Sequence, residues 1–347
     1  MKTFTLLIPT YGRPALLRRL LTYYAEAHFP DRIIVADSST RDITDENRDT
    51  TSGYPELHII HRTFDPSIEI YQKMTEVLRS IDSDAIGLCS DDDFIAAAAP
   101  ARAVRFLGQH EDYIAVQGRS FIADTSRIRI PLSAFPQRPV RSNTATDRLQ
   151  SYFQDPTANF YAIYRTTVFR HTLDRIMRFR TDNTRFEELA FSCLGAIEGN
   201  IMVLNALHLV RQSSRNRVDS GSKQTGGWPH VVRSTSFPKN KQLFMEMLSE
   251  ALVEHGTEKS AARRLIVDHF ESYLEEKLHP SYAREPRSIQ ERAIAMMLSP
   301  NQGRLPLLRR GVAAITRGSP KMRALSKEYA PVAQLISQYP DGIPNPI

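Results

Sequence analysis

A repeating unit in the first hundred residues constrains the fold most. It consists of a short apolar run, a polar or proline stop, and then a stretch with apolar residues at helical spacing. Residues 4–8 are mostly apolar and end at Pro9, as a strand buried on both faces requires. Behind Pro14, which suits a first helical turn, Leu16, Leu17, Leu20 and Leu21 recur at helical spacing. Residues 32–36 (RIIVA) read as a second buried strand, stopped by Asp37-Ser38-Ser39, and residues 57–61 as a third. The spacing of Ile70, Met74, Val77, Leu78 and Ile81 predicts a helix over 68–81. Residues 84–89 (DAIGLC) form a fourth strand that runs into Ser90-Asp91-Asp92-Asp93. A helix at 100–108 and a strand near 113–118 continue the pattern. Such alternation predicts an α/β fold with a mostly parallel central sheet.

The pattern then loosens. Residues 124–148 are polar, proline-rich and basic, and read as a surface excursion. A last strand is expected at 201–204 or slightly beyond. Residues 211–240 show no periodicity, as expected of a functional loop or linker. Helical patterns follow at 241–255, 259–277 and 287–298, before a basic tail. The expected organisation is an α/β domain over 1–215, a mobile loop over 216–240 and a helical region over 241–347. Composition agrees with a folded enzyme: 41% hydrophobic and 24% charged residues exclude a disordered, collagen-like or coiled-coil chain. Two cysteines, Cys89 and Cys193, are too few for a disulfide framework or a cysteine zinc site. Their apolar neighbours suggest buried thiols in a reducing compartment. No signal peptide is visible, and no window reaches the ~18 apolar residues of a membrane span. The expected location is the cytoplasm, or the cytosolic face of the inner membrane.

In open parallel sheets, ligands bind outside the carboxyl ends of the strands. Pro9-Thr10-Tyr11, Asp37-Ser38-Ser39 and Ser90-Asp91-Asp92-Asp93 should therefore converge on one crevice. Three adjacent carboxylates repel one another and are hard oxygen donors, suited to Mg²⁺ or Mn²⁺ bridging to phosphates. The plainer alternative is a helix cap or a solvated turn. For a triplet that follows a buried strand directly, the metal reading is favoured.

The order and spacing of PTYGRP, IIVADSS and IGLCSDDDF resemble the nucleotide-binding half of family 2 glycosyltransferases of GT-A fold, over about residues 3–210. The branch whose acidic motif reads DDDF is the nearest in pattern. The resemblance implies that Pro9, Thr10, Tyr11, Arg13 and Asp37 hold the nucleotide. It places Asp91 and Asp93 on the metal, with Asp92 beside them at the donor. Lys73, in YQKM, matches a basic position near the donor, or is a solvated helix lysine. In TRFEELAFSCLGAIEGN, Glu188 occupies the position of the base that activates the acceptor, and Glu187 is its neighbour. The commoner pattern there is Glu-Asp. Adjacent helical residues point about 100° apart, so one of the two should face the acceptor. Asn159 and Tyr161 run beside the acceptor pocket in the family, although Tyr161 and Tyr164 also suit the edge of a core. After the last strand, Arg211, Arg215 and Arg217 offer guanidinium forks for a diphosphate. His208 reads either as a third metal ligand or as a structural histidine. Gly226-Gly227-Trp228 suits the hinge and anchor of a lid that excludes water.

The activity implied is metal-dependent, inverting transfer of a sugar from a nucleotide-diphosphate sugar to the hydroxyl of a glycan or glycolipid acceptor. Two other readings stay open at this level. A nucleotidyltransferase uses similar acidic ligands but carries a glycine-rich loop after its first strand, where PTYGRP has one glycine. An inactive glycan- or nucleotide-binding module is the other.

The net charge of +6 conceals an asymmetry. Residues 1–100 carry 10 basic and 16 acidic side chains, and the remainder carries 35 and 23. No acidic residue lies between Arg292 and Glu328, where Arg304, Arg309, Arg310, Arg317, Lys321, Arg323 and Lys327 interleave with Leu305, Leu307, Leu308, Val312 and Ile315. That mixture suits an anionic membrane surface. Solubility, or packing against the acidic half, is the bland alternative. Nucleic acid is disfavoured, because no motif for it accompanies the charge.

Overall fold

The computed structural model describes residues 3–125, 132–213, 227–278 and 320–340. Arg215, Arg217, Gly221, Gly226, the helix expected at 287–298 and the basic run from Arg304 to Arg317 lie outside them.

The expected α/β architecture is present. The first unit is β1 (Phe4–Thr10), α1 (Pro14–Glu26), β2 (Arg32–Asp37), α2 (Arg41–Ser52), β3 (Ile59–Thr63), α3 (Ile70–Leu78) and β4 (Ala85–Leu88). β1 pairs in parallel with both β2 and β4, and β2 with β3. The second half is mixed. β5 (Phe94–Ile95), β6 (Tyr113–Asp124), β7 (Leu132–Phe135), β8 (Ile163–Arg165) and β9 (Asn200–Ser213) complete a nine-stranded sheet of order β3-β2-β1-β4-β8-β6-β9-β5, with β7 beside β6. β8 runs antiparallel to β4 and β6, whereas β9 is parallel to β6.

Alternation along each strand sends side chains to two separate cores. Leu7, Ile34 and Ala36 face one, while Leu6, Ile8, Ile33 and Val35 face the other. The first core is covered by α3, α5 (Ala145–Gln154), α6 (Thr166–Arg178), α7 (Thr184–Glu198), α9 (Phe237–Glu254) and α10 (Lys259–Leu278). The second is covered by α1, α4 (Ala99–Gln109) and α11 (Pro320–Gln338).

Several expectations are corrected here. The polar stretch at 124–148 contains β7 and the start of α5, with Val140 bridged to Ile201. β9 extends to Ser213, and the supposed loop at 211–240 also holds the short helix α8 (Trp228–Val231) and the start of α9. The helices after residue 240 are not a body of their own. Phe244, Met247, Leu248 and Phe270 share a core with Phe186, Phe191 and Leu194 of α7. Trp228 belongs to this core, stacked edge-on against Phe186 and donating from Nε1 to the Tyr273 hydroxyl at 3.0 Å. Its ring is set among the packed aromatics Phe186, Phe270 and Tyr273.

α2 escaped the periodicity argument because RDITDENRDTTS has almost no apolar residue. It turns Thr44, Asn47, Thr50 and Thr51 inward. Cys89 and Cys193 are buried free thiols, as expected.

Candidate functional site

The sheet order reverses at β1: the chain builds β2 and β3 on one side of it and places β4 on the other. Two crossovers diverging in this way open a crevice beyond the carboxyl ends of β1 and β4. The three expected strand-end motifs meet there.

After β1, Gly12 takes φ +68°, a left-handed conformation open to glycine, and its N–H donates to Ser39 Oγ at 2.9 Å. This turn brings Arg13 over the acidic triplet. The Arg13 guanidinium lies 2.5 Å from Asp91 Oδ1 and 3.0 Å from Asp92 Oδ2. Burial of the guanidinium is outweighed by Asp91 and Asp92, so its pKa is raised. Thr10 Oγ1 donates to Asp91 Oδ2 at 2.6 Å. Asp93 accepts from the Tyr161 hydroxyl at 2.6 Å and the Gln212 backbone N–H at 2.8 Å, with Arg211 Nε 3.6 Å away. Burial, reinforced by the neighbouring carboxylates, pushes Asp91 and Asp93 upward against the pull of Arg13 and Arg211 respectively. Three carboxylates thus stand against two guanidiniums, those of Arg13 and Arg211.

Metal was expected on Asp91 and Asp93. Both are buried, Asp91 against Thr10 and Arg13 and Asp93 against Tyr161 and Gln212, whereas Asp92 keeps a side chain 21% exposed. Asp92 is the most exposed carboxylate of the triplet. Two hard carboxylates suit a cation that draws its other ligands from a diphosphate and water. Among the described residues no group of three or more His, Cys, Asp and Glu forms a complete cage. His208 takes no part. Its Nε2 lies 2.8 Å from the Tyr161 carbonyl oxygen, and burial lowers its pKa to about 4. It is a neutral structural histidine.

Asp37, expected at the nucleotide, ends β2. It is wholly buried, with Oδ1 accepting from the Ser39 N–H at 2.8 Å and Oδ2 facing Asn47 Nδ2 at 2.9 Å and His61 Nε2 at 3.1 Å. Burial alone would raise its carboxyl, but the hydrogen bonds from His61, Ser39 and Asn47 outweigh it and hold the pKa low. Asp37 thereby ties the end of β2 to Asn47 of α2 and His61 of β3. Neither His61 nor Asn47 was expected, and no local pattern marks them. Lys73 is not a solvated lysine. It is buried and donates to the Thr10 carbonyl at 3.1 Å and Ser38 Oγ at 2.8 Å, tying the ends of β1 and β2 together. Burial lowers its pKa to about 8, against the opposing pull of Asp37 and Asp91. Pro9 and Thr10 are buried at the same strand end, and Tyr11 is half-buried.

On the far wall, Arg211 is held between two rings, 5.3 Å from the Tyr161 centroid and 5.4 Å from Phe135. Asn159 donates to the Ser192 carbonyl at 3.1 Å, and Tyr164 is core. α7 begins at the cap of Asn183, which accepts from the Arg185 N–H at 2.9 Å. Its first turn separates the two glutamates sharply. Glu187 is 1% exposed, whereas the Glu188 side chain is 52% exposed and pairs with Arg185. The charge of Glu188 is near enough to Arg211 to contribute to the raised pKa of that guanidinium.

The strand-end motifs showed this site, but they did not show Arg19 and Gln212, which brace it from behind. Arg19 lies on the buried arc of α1 among Leu17, Leu20 and Leu21. A charged residue on such an arc was the available signal.

Known proteins agree with this picture. A crystal structure of S. aureus TarS 1-349 in complex with UDP-GlcNAc is similar over 98% of this chain and 92% of that chain, with TM-score 0.56 and 15% identity. The same fragment in complex with UDP gives TM-score 0.52 and 14% identity at the same coverage. No curated protein sequence matches the chain. Residues 5–173 match the family described as Glycosyl transferase family 2. Just under half of the chain, residues 5–173, is thus a family 2 glycosyltransferase domain, and the chain as a whole shares the GT-A fold of these structures.

Proposed function

We propose that the enzyme transfers a sugar from a nucleotide-diphosphate sugar to an acceptor hydroxyl in one metal-dependent displacement that inverts the anomeric centre. The observation that carries this reading is the crevice itself. Three adjacent carboxylates stand against the two guanidiniums of Arg13 and Arg211 at the switch point of the sheet, within the segment that matches family 2. Asp92 and Asp93 would hold Mg²⁺ or Mn²⁺, whose chemistry is to neutralise charge on the departing diphosphate. Arg211 offers a fixed guanidinium to the same phosphates. Tyr11, just after β1, is the half-buried ring available to a nucleotide base, and Lys73 holds the carbonyl of the preceding Thr10. Glu188 takes the proton of the acceptor hydroxyl as its oxygen bonds to the anomeric carbon and the bond to the diphosphate breaks. The acceptor class that suits the basic C-terminal third is a glycan or glycolipid at an anionic membrane surface. No helix among the described residues is long and apolar enough to cross a membrane, so any such contact would be peripheral.

The test is incubation with a panel of nucleotide sugars and Mn²⁺. Nucleoside diphosphate should be released from one donor, and chelation of the metal should stop it. Release of pyrophosphate from a nucleoside triphosphate and a sugar phosphate, with no donor turned over, would refute the proposal.

A further inference from the structure

The acidic cluster is braced by one guanidinium that joins three distant parts of the chain. Arg19 is 3% exposed and lies over the Phe94 ring, 4.9 Å from its centroid. Its NH2 donates to the Asp92 carbonyl at 3.1 Å. Its NH1 donates to Gln212 Oε1 at 2.7 Å, to the Tyr339 carbonyl at 2.9 Å and to the Pro340 carbonyl at 3.1 Å. Gln212 closes the loop. Its Nε2 donates to the Pro340 carbonyl at 2.6 Å, and its backbone N–H donates to Asp93. The Tyr339 and Pro340 carbonyls are thus one hydrogen-bonded residue away from the Asp92 backbone and the Asp93 carboxylate, and the residue before Gln212 is Arg211.

The docking of α11 delivers these carbonyls. Leu325, Tyr329, Val332, Leu335 and Ile336 are buried in the second core, and Glu328 pairs with both terminal nitrogens of Arg102 at 2.9 and 3.0 Å. Arg102 in turn donates to the Leu207 carbonyl on β9 at 2.8 Å. A carbonyl-rich chain end brought to a buried arginine is a means of holding that arginine in one orientation, because each acceptor fixes one direction of a planar fork.

We propose that the segment Tyr339–Pro340 is a working part of the donor site. Acting through the positioning residues Arg19 and Gln212, it holds the backbone of Asp92, the carboxylate of Asp93 and the strand end of Arg211 in the geometry that receives a metal-bound diphosphate. This inference rests on the donor-site reading above.

The test uses full-length Gln212→Leu, Arg19→Met and their double variant, with UDP and GDP in the presence of Mn²⁺ as probes. A third single variant, Glu328→Arg, acts on the docking of α11. Binding is measured by calorimetry at a temperature where circular dichroism shows each variant folded. Gln212→Leu keeps its backbone N–H to Asp93 and serves if Arg19→Met does not fold. Each single variant should weaken the nucleotide that wild type binds by tenfold or more, and the double variant should be no weaker than the worse single one. Affinity within twofold of wild type, alongside a lowered Tm, would overturn the proposal and leave the contacts as scaffold only. If the wild-type chain binds neither nucleotide, the donor-site reading itself fails and this inference fails with it.

Discussion

At the scale of single residues, the site is decided by which way neighbouring side chains turn. Glu187 and Glu188 are chemically alike, yet the first is buried in α7 and the second is exposed and paired with Arg185. Glu188→Gln is therefore expected to lower kcat by about 10²–10⁴-fold while metal-dependent donor binding stays within a factor of two by calorimetry. Glu187→Gln abolishing transfer instead would reassign the base. His208 carries a different consequence. Its folded pKa is about 4, against an ordinary 6.5, because burial disfavours the cation. Between those values the unfolded chain binds a proton that the folded chain refuses, so stability rises with pH through the window and is lost as pH falls from 6.5 to 4. The loss is about 3 kcal/mol at the acid end, at 1.36 kcal/mol per pKa unit. Urea midpoints across that range should be flatter for His208→Gln than for wild type. Parallel curves would assign the acid sensitivity to other groups. The acidic triplet was legible because it follows a buried strand. Its internal division of labour was not, since the inward turn of Asp91 depends on Thr10 and Arg13 from another strand end.

At the scale of elements, strands buried on both faces and amphipathic helices could be read from periodicity. Elements held by tertiary contacts could not. α2 has a polar inner face, with Asn47 on Asp37, and β7 exists because β6 offers it an edge. The same holds for β9, whose pairing with β6 shifts register between Gln117 and Arg119, opposite Val203 and Leu207. The extra residues crowd Gly118, where an added Cβ would lie 2.6 Å from the Ala206 carbonyl oxygen. Gly118→Ala should cost about 1–3 kcal/mol by overpacking, read as a lowered urea midpoint. An unchanged midpoint would mean that the bulge yields freely.

At the scale of the whole molecule, the charge asymmetry acquires a geometry. The acidic N-terminal half gathers three carboxylates at the crevice, and α11 returns from the basic third to dock behind them. The apolar residues of α11 face the core and are not available to a bilayer. A membrane role therefore falls to the run from Arg304 to Arg317. Replacing Arg304, Arg309, Arg310 and Arg317 with alanine should weaken sedimentation with anionic phospholipid vesicles by about 1 kcal/mol per residue, and leave neutral vesicles unaffected. Equal sedimentation of both proteins would refute that role. Removing the whole C-terminus is the wrong experiment, because it would also remove the braces on Arg19.

The sequence by itself determined the layered α/β sheet and the end of it at which chemistry gathers. Burial on both faces and the stop after each strand are written locally, over a few residues. Only the tertiary structure decided which carboxylate of the triplet stays most exposed, and that a chain end hundreds of residues away completes its support. Those choices depend on hydrogen bonds between segments remote in the chain, and no local period encodes such a meeting.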